Sequence, residues 1–289
     1  MLIQEYAPII GGGQTQLAGQ AALLAGLGVD VKVLTRRWWP ELAPFEQIGP
    51  GAVYRLPASG PKAVAAIRYI LSAAWTIGRL RPDVLHAHEL LSPTTAAILA
   101  RWLFGPPLVA TVLGGGALGD LRKIQRGRLG RFRTWLVLRS VDAFVVISDE
   151  IDAELETLGV PARKRLPIAN GVDTERFSPV QEAERLRLRE ALCLPDGKLV
   201  IFTGRLEKEK QVEHLLAAWP ALLEQVPDVQ LLVLGIGSLG AALRAQATDH
   251  VHFLGGKADV APYLRAADLF VLPSNREGLS VSMLEAMSS

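Results

Sequence analysis

Leu269-Phe-Val-Leu-Pro-Ser-Asn-Arg-Glu-Gly-Leu279 joins a short apolar run to a polar loop, and Ser280-Val-Ser-Met-Leu-Glu-Ala-Met-Ser-Ser289 follows with helical character. The residues read as a buried strand ending at Leu272, a loop, and a helix that carries Glu285. A loop of this kind presents unpaired backbone N–H groups and the positive end of a helix dipole, a setting that suits a phosphate. Glu277 and Glu285, eight residues apart, add two carboxylates that accept hydrogen bonds from hydroxyls. Phosphate and hydroxyls together fit a sugar nucleotide. Ser282-x-x-Glu285 also fits a capping box, in which the glutamate only satisfies an amide at the helix start.

Outward from this segment, short β-branched runs alternate with longer stretches of helical period. Strands are expected at Val29–Leu34, Val53–Leu56, Asp83–Ala87, Leu108–Val112, Ala143–Ile147, Leu199–Thr203, Val229–Leu234, Val251–Leu254 and Leu269–Leu272. Helices are expected at Gln14–Leu27, Lys62–Leu80, Thr94–Phe104, Leu121–Arg139, Glu150–Leu158, Gln211–Gln225 and Ala258–Ala266, with Gly28 at a C′ position. The alternation predicts an α/β protein with parallel sheets wrapped on both faces. The series restarts after Asn170-Gly-Val-Asp173, and the polar stretch Gln181 to Glu190 separates its two halves. Two doubly wound, Rossmann-like domains are expected, 1–170 and 171–289, with ligands beyond the carboxyl ends of the strands. The second holds four strands and stops inside the helix of Glu285, so it reads as incomplete.

Composition sets the class. With 289 residues and 49% hydrophobic content the chain is globular and long enough for two cores. A net charge of +2 gives no global field for nucleic acid, and none is expected as a partner. Cys193 is the only cysteine, which excludes internal disulfides and points to the cytoplasm. Ala63 to Leu80, the most apolar stretch, is interrupted by Arg68 and Arg79 and reads as a helix outside the bilayer, and Met1 to Glu5 has no signal-peptide pattern.

Several constellations lie at predicted strand ends. Gly11-Gly12-Gly13 lets backbone approach a phosphate closely, or makes a plain turn. Gly204-Arg-Leu-Glu-Lys-Glu-Lys210 sets an arginine fork and a lysine point charge where they could offset a diphosphate; a solvated charged turn is the alternative. His86 and His88 alternate to one side of their strand, as core histidines or with His88 in an acceptor site. No third ligand stands near them and the chain contains no Asp-x-Asp, so no metal is expected. From Leu121 to Arg139 seven basic residues, Arg128 among them, occur without an acidic partner and are interleaved with Phe132, Trp135 and Leu136. That segment fits either a solvated face or peripheral contact with an anionic membrane surface at 121–139.

Pro273-Ser274-x-x-Glu277-Gly278-x6-Glu285-Ala286-Met287 resembles the Glu-x7-Glu signature of the retaining glycosyltransferases of family 4, which have the GT-B fold. Gly12-Gly13 followed by Leu17-Ala18, Gly204-Arg205-Leu206 with Lys210, Asn170-Gly-Val-Asp173 and Gly235-Ile-Gly237 resemble further segments of that family. Gln211 stands where the family usually has glycine, and Leu113 where many members carry a cleft histidine. The resemblance implies metal-independent transfer of a hexose from a nucleotide-diphosphate sugar, used as substrate with no separate cofactor, to a saccharide or lipid-linked acceptor. Catalytic roles then fall on Glu277, which holds the sugar, and on Arg205 and Lys210 at the leaving diphosphate; His88 is added at the acceptor from its place at the end of its own strand. Glu285 would take the ribose, the amides of Gly12, Gly13, Gly278 and Leu279 the diphosphate, and Asn170 and Gly237 would line the nucleotide cleft. Roughly the last quarter of such an enzyme would follow Ser289. The remaining alternatives are a non-catalytic nucleotide-sugar-binding remnant and a sugar-nucleotide epimerase or phosphorylase of the same architecture. Cytoplasmic placement, peripheral at the inner face of a membrane, is the expectation, as is a role in polysaccharide or cell-envelope synthesis.

Overall fold

A computed structural model describes residues 1–289 apart from Ile10, Pro50, Ala117, Leu118, Gly127, Arg128 and Arg276. The chain divides into two compact units, Met1–Asn170 and Gly171–Ser289.

In the first unit, β1 (Lys32–Arg37), β3 (Gly51–Pro57) and β2 (Phe45–Ile48) form one group in the order β1-β3-β2. β4 (Leu85–His88), β5 (Leu108–Val112), β6 (Ala143–Val146) and β7 (Arg165–Pro167) form a second, wholly parallel group. The N-terminal segment joins them: Leu2 bridges in parallel to Leu34 of β1 and to Ala87 of β4. The chain therefore starts mid-sheet, runs outward through β1 and β3, and returns to β4. Strand order thus reverses at the start of α1 (Gly12–Gly26), and that reversal marks the ligand edge of a doubly wound sheet. Among the described residues only β2 is antiparallel; it is a short edge strand with an exposed Phe45 packed on Tyr54, too brief and too polar to stand out in the sequence.

α2 (Lys62–Leu80) and α3 (Ser92–Phe104) cover this sheet, and α6 (Asp149–Thr157) lies between β6 and β7. The single helix expected over Leu121–Arg139 is in fact two, α4 (Asp120–Gln125) and α5 (Gly130–Ser140). Arg126 is extended, with φ −70° and ψ 144°, which stops the first. Asp120, just before that segment, opens α4 with its carboxylate 3.7 Å from Lys123 Nζ. Arg128 lies outside the described residues.

The second unit is a parallel sheet of β8 (Lys198–Thr203), β9 (Val229–Leu234), β10 (Val251–Gly255) and β11 (Leu269–Phe270), ordered β10-β9-β8-β11. Its central strands, β8 and β9, are buried on both sides, as a helix-covered parallel sheet requires. Val200 and Phe202 of β8 with Leu231 and Val233 of β9 join a core that contains Trp219, whereas Leu199 and Ile201 with Leu232 and Leu234 join the opposite core around Phe177 and Leu264. The period of two thus splits each apolar run between two helical layers. α8 (Val212–Gln225) supplies Trp219 to the first layer, and α10 (Ala261–Ala266) supplies Leu264 to the second.

The polar stretch read as a separator is α7 (Glu182–Ala191), a surface helix of this unit. Its Arg185 and Arg189 hold Asp268, whose other contact is the Leu199 N–H at 2.7 Å. Burial pushes the Asp268 carboxyl up, but these donors outweigh it and hold the group below the usual carboxylate range. Asp268 therefore ties α7 to the start of β8 and to β11.

Candidate active site

The strand order of the second unit reverses between β8 and β11. That is the switch point of a doubly wound sheet, and the loops leaving both strands at their carboxyl ends meet there. After β8 the chain forms a single 3-10 turn, Lys208–Lys210, and then α8 begins. After β11 it runs through Pro273 to Glu277 and into α11 (Val281–Ser288). Lys210 Nζ lies 2.5 Å from Glu277 Oε1, across 67 residues of sequence. The Asn275 N–H donates to the Glu209 carbonyl at 3.3 Å and fastens the same two loops. Both charged side chains remain partly open, 15% for Lys210 and 27% for Glu277, so the pair can be reached by a ligand. Arg205 projects further outward and pairs with Glu209 at 3.1 Å.

The loop after β9 completes this edge. Glu207 accepts from the Ser238 N–H at 2.9 Å and from Ser238 Oγ at 2.6 Å, and these two bonds hold its carboxyl low. Sequence reading passed over Glu207 because its partner stands 31 residues away. Gly235 and Gly237 have a packing reason to be glycine. A Cβ on Gly235 would stand 1.8 Å from the Gly204 carbonyl oxygen, and one on Gly237 2.4 Å from that of Leu206. The two loops thus lie backbone against backbone. Gly235 also has φ +151°, open to glycine alone.

α11 is capped by Ser280, whose Oγ accepts from the Met283 N–H at 3.4 Å. Ser282 is therefore not the N-cap, and the capping-box reading of Glu285 falls. Glu285 is 8% exposed, and among the described residues its carboxylate has no ion pair or hydrogen bond. Burial raises its pKa to about 7, with Arg176 opposing and Asp259 adding to the rise. Gly278 and Leu279 lie in the loop just before Ser280. Ser274 Oγ, on the same loop, is buried and has no hydrogen-bond partner among the described residues.

In the first unit the corresponding edge gathers Glu5, Arg36, Glu89, Asp120 and Lys123. Glu89 follows β4 directly, in the left-handed region at φ +73°, an unfavourable backbone for a residue with a side chain. Desolvation raises its carboxyl to about 8; Asp120 and Glu5 add to the rise, and Lys123 and Arg36 oppose it. Asp120 is itself buried and raised by desolvation, and it accepts from the Leu113 N–H at 3.2 Å. No sequence signal marked Glu89 beyond its place after a predicted strand. His88, by contrast, is 1% exposed, with its ring 4.2 Å from that of His86. His86 Nε2 lies 2.7 Å from Thr111 Oγ1, and burial holds both imidazoles neutral, His86 near 4. The histidine assigned to the acceptor thus sits inside the sheet layer, and the adjacent glutamate reaches the edge. Gly12 and Gly13 open α1, whose first-turn amides have no intrahelical acceptors. A Cβ on Gly13 would lie 2.9 Å from Leu113 Cδ1, so the leucine packs against this turn.

This geometry has counterparts among solved structures. The chain superposes on the sucrose-phosphate synthase of Thermosynechococcus elongatus with TM-score 0.78 at 24% identity, covering 96% of this chain and 73% of that one. It superposes on Anabaena HepE in complex with UDP-glucose with TM-score 0.76 at 18% identity, covering 99% and 77%. The fold is thus that of the GT-B glycosyltransferases. By sequence, residues 10–176 match the family described as Glycosyltransferase Family 4, and residues 197–289 match the model described as Glycosyl transferases group 1. A D-inositol 3-phosphate glycosyltransferase of Actinosynnema mirum is 30% identical over 96% of this chain and 74% of its own length. The chain belongs to glycosyltransferase family 4 and is shorter than these relatives.

Proposed function

We propose that the chain transfers a hexose from a nucleoside-diphosphate sugar to a saccharide or lipid-linked acceptor, with retention at the anomeric carbon and without a metal ion. The observation that carries this reading is the Lys210–Glu277 pair at the switch point of the second unit. A cation placed there can take up the charge that develops on the departing diphosphate, which is the largest contribution such a site can make. Arg205, 56% exposed and paired with Glu209, can swing to the same group. Glu277 is then released to accept hydroxyls of the donor sugar, and Glu285 takes those of the ribose. The amides at Gly278 and Leu279, and at Gly12 and Gly13 in the first unit, are assigned to phosphate oxygens; Asn170 and Gly237 to the surroundings of the nucleotide.

On the acceptor side we assign Glu89 to a hydroxyl, in place of His88. Its raised pKa keeps it largely protonated near neutrality, so it can both donate and accept. The relative's name, a glycosyltransferase of inositol 3-phosphate, supports a polyhydroxylated acceptor, and the UDP-glucose complex of HepE supports a sugar nucleotide as donor. Absence of Asp-x-Asp supports metal-independent transfer.

The test is product analysis with UDP- and GDP-linked hexoses and a pool of saccharide acceptors, the anomeric configuration being read by NMR. An acceptor-dependent product of retained configuration is expected. Turnover without acceptor would instead indicate an epimerase, a strict need for inorganic phosphate a phosphorylase, and donor binding with neither transfer nor hydrolysis a binding remnant.

A further inference from the structure

The edge of the first unit that carries Glu89 also holds a buried cation without a close counterion. Among the described residues two arginines are buried, Arg36 at 9% exposure and Arg55 at 3%. Arg55 has the partners a structural arginine needs: it pairs with Glu46 at 2.6 Å and donates to the carbonyls of Ala7 and Ala43. Arg36, near the end of β1, is different. Among the described residues its guanidinium has one hydrogen-bond partner, Ser92 Oγ at 2.6 Å, and no carboxylate within ion-pair distance. Its Nε is buried without an acceptor, and Glu89 and Glu5 act on it only from longer range. The guanidinium carbon lies 5.3 Å from the centre of the Tyr69 ring and 5.7 Å from that of Trp38, contacts that fix the group without neutralising it. The Tyr69 hydroxyl is likewise buried with no partner among the described residues. A buried charge left in this way is costly, and an anionic group brought by a ligand would supply what is missing.

Trp38 continues the same edge outward. It is 40% exposed, yet its indole N–H is anchored on the Gln4 carbonyl at 3.2 Å. The turn that follows is closed by Arg37, whose guanidinium donates to the Leu42 carbonyl at 2.7 Å and to the Pro40 carbonyl. An aromatic face that is held in place and open to solvent can stack on the C–H face of a sugar ring, because its π density attracts polarised C–H groups. Being already ordered, it loses little freedom when a ligand arrives. A free phosphate would use Arg36 and leave the indole idle, and a neutral sugar would use the indole and leave Arg36 without a counterion. Both are used by a sugar that carries its own negative charge.

We propose that Arg36 and Trp38 form an acceptor subsite for a saccharide bearing an anionic group, phosphate or carboxylate, with that group at the guanidinium and the ring on the indole. The proposal rests on the glycosyl-transfer reading only in calling this saccharide the acceptor.

Isothermal titration of the whole chain at physiological salt compares glucose 1-phosphate, glucose 6-phosphate and glucuronate with glucose and with inorganic phosphate. The phosphates and the uronate separate the two sources of charge. At least one charged sugar is expected to bind about tenfold or more tighter than both glucose and inorganic phosphate. Arg36→Gln should remove the advantage over glucose, and Trp38→Ala, at an exposed position, the advantage over inorganic phosphate; thermal melts check the fold. Charged sugars that bind wild type no tighter than glucose, or no tighter than inorganic phosphate, overturn the inference, and this comparison needs no variant to fold. A folded Arg36→Gln protein that keeps the preference for charge overturns it as well. Transfer assays with the same sugars keep the two readings apart. Turnover onto neutral saccharides alone would sink the subsite and leave glycosyl transfer standing, whereas charge-selective binding without any turnover would uphold the subsite and sink glycosyl transfer.

Discussion

Replacing Lys210 by alanine separates a binding role from a structural one. In the free protein the lysine neutralises Glu277, but both side chains are partly solvated, at 15% and 27% exposure. Water can therefore reach Glu277 once the lysine is gone, and the stability loss should stay within about 1 kcal/mol. Toward a diphosphate the same ammonium matters more. A unit charge at ~4 Å in surroundings of effective dielectric ~20 contributes roughly 4 kcal/mol, and about half of that is lost again to desolvation and to release of Glu277. A net ~2 kcal/mol is roughly a thirtyfold loss of affinity. Isothermal titration with UDP and GDP, beside urea melts, measures both quantities. Glu277→Gln gives the opposite signature: it frees Lys210, so nucleoside diphosphate binding should hold or tighten. If Lys210→Ala binds both diphosphates within twofold of wild type, or weakens only as far as it unfolds, the assignment of Lys210 is refuted.

Three further outcomes follow from local geometry. Gly235→Ala should destabilise by at least ~3 kcal/mol in chemical denaturation, because its Cβ would overlap the Gly204 carbonyl and its φ of +151° excludes a side chain. Gln211→Gly should stabilise by about 0.5–1 kcal/mol in the same assay, since Gln211 sits at φ +51°, where glycine is favoured. Glu285 and Glu89 have pKa values raised to about 7 and about 8 from 4.5, so the folded protein binds protons more tightly than the unfolded chain. Their contribution is present below about pH 4.5 and is lost as pH rises through 7 and 8; Glu285→Gln should gain up to about 3 kcal/mol over wild type at pH 8 and nothing near pH 4, as urea melts across that range would show.

The parallel sheets were legible because β8 and β9 are continuous apolar runs, and a run buried on both faces needs no alternation to be seen. β2 and α7 were not, for one reason: each is a surface element held by partners remote in sequence, Tyr54 for the strand and Asp268 for the helix. The break between α4 and α5 depends on the backbone at Arg126, which an uninterrupted basic pattern hides. Lys210 and Glu277 were each marked by residue type and by place after a strand. Their contact was not, because it follows from β11 lying beside β8 and not beside β10. His88 and Glu89 show the limit of alternation. It correctly put both histidines on one side, yet it could not tell that this side is interior, nor that a left-handed backbone turns the next residue to the edge.

The account rests on Glu277 holding the transferred sugar. Turnover of nucleotide-hexose donors by Glu277→Ala, measured beside wild type with circular dichroism to confirm the fold, tests this most directly. A fall of two or more orders of magnitude, about 2.7 kcal/mol or more on the barrier, is predicted. Wild-type-like turnover by a folded Glu277→Ala protein would contradict it.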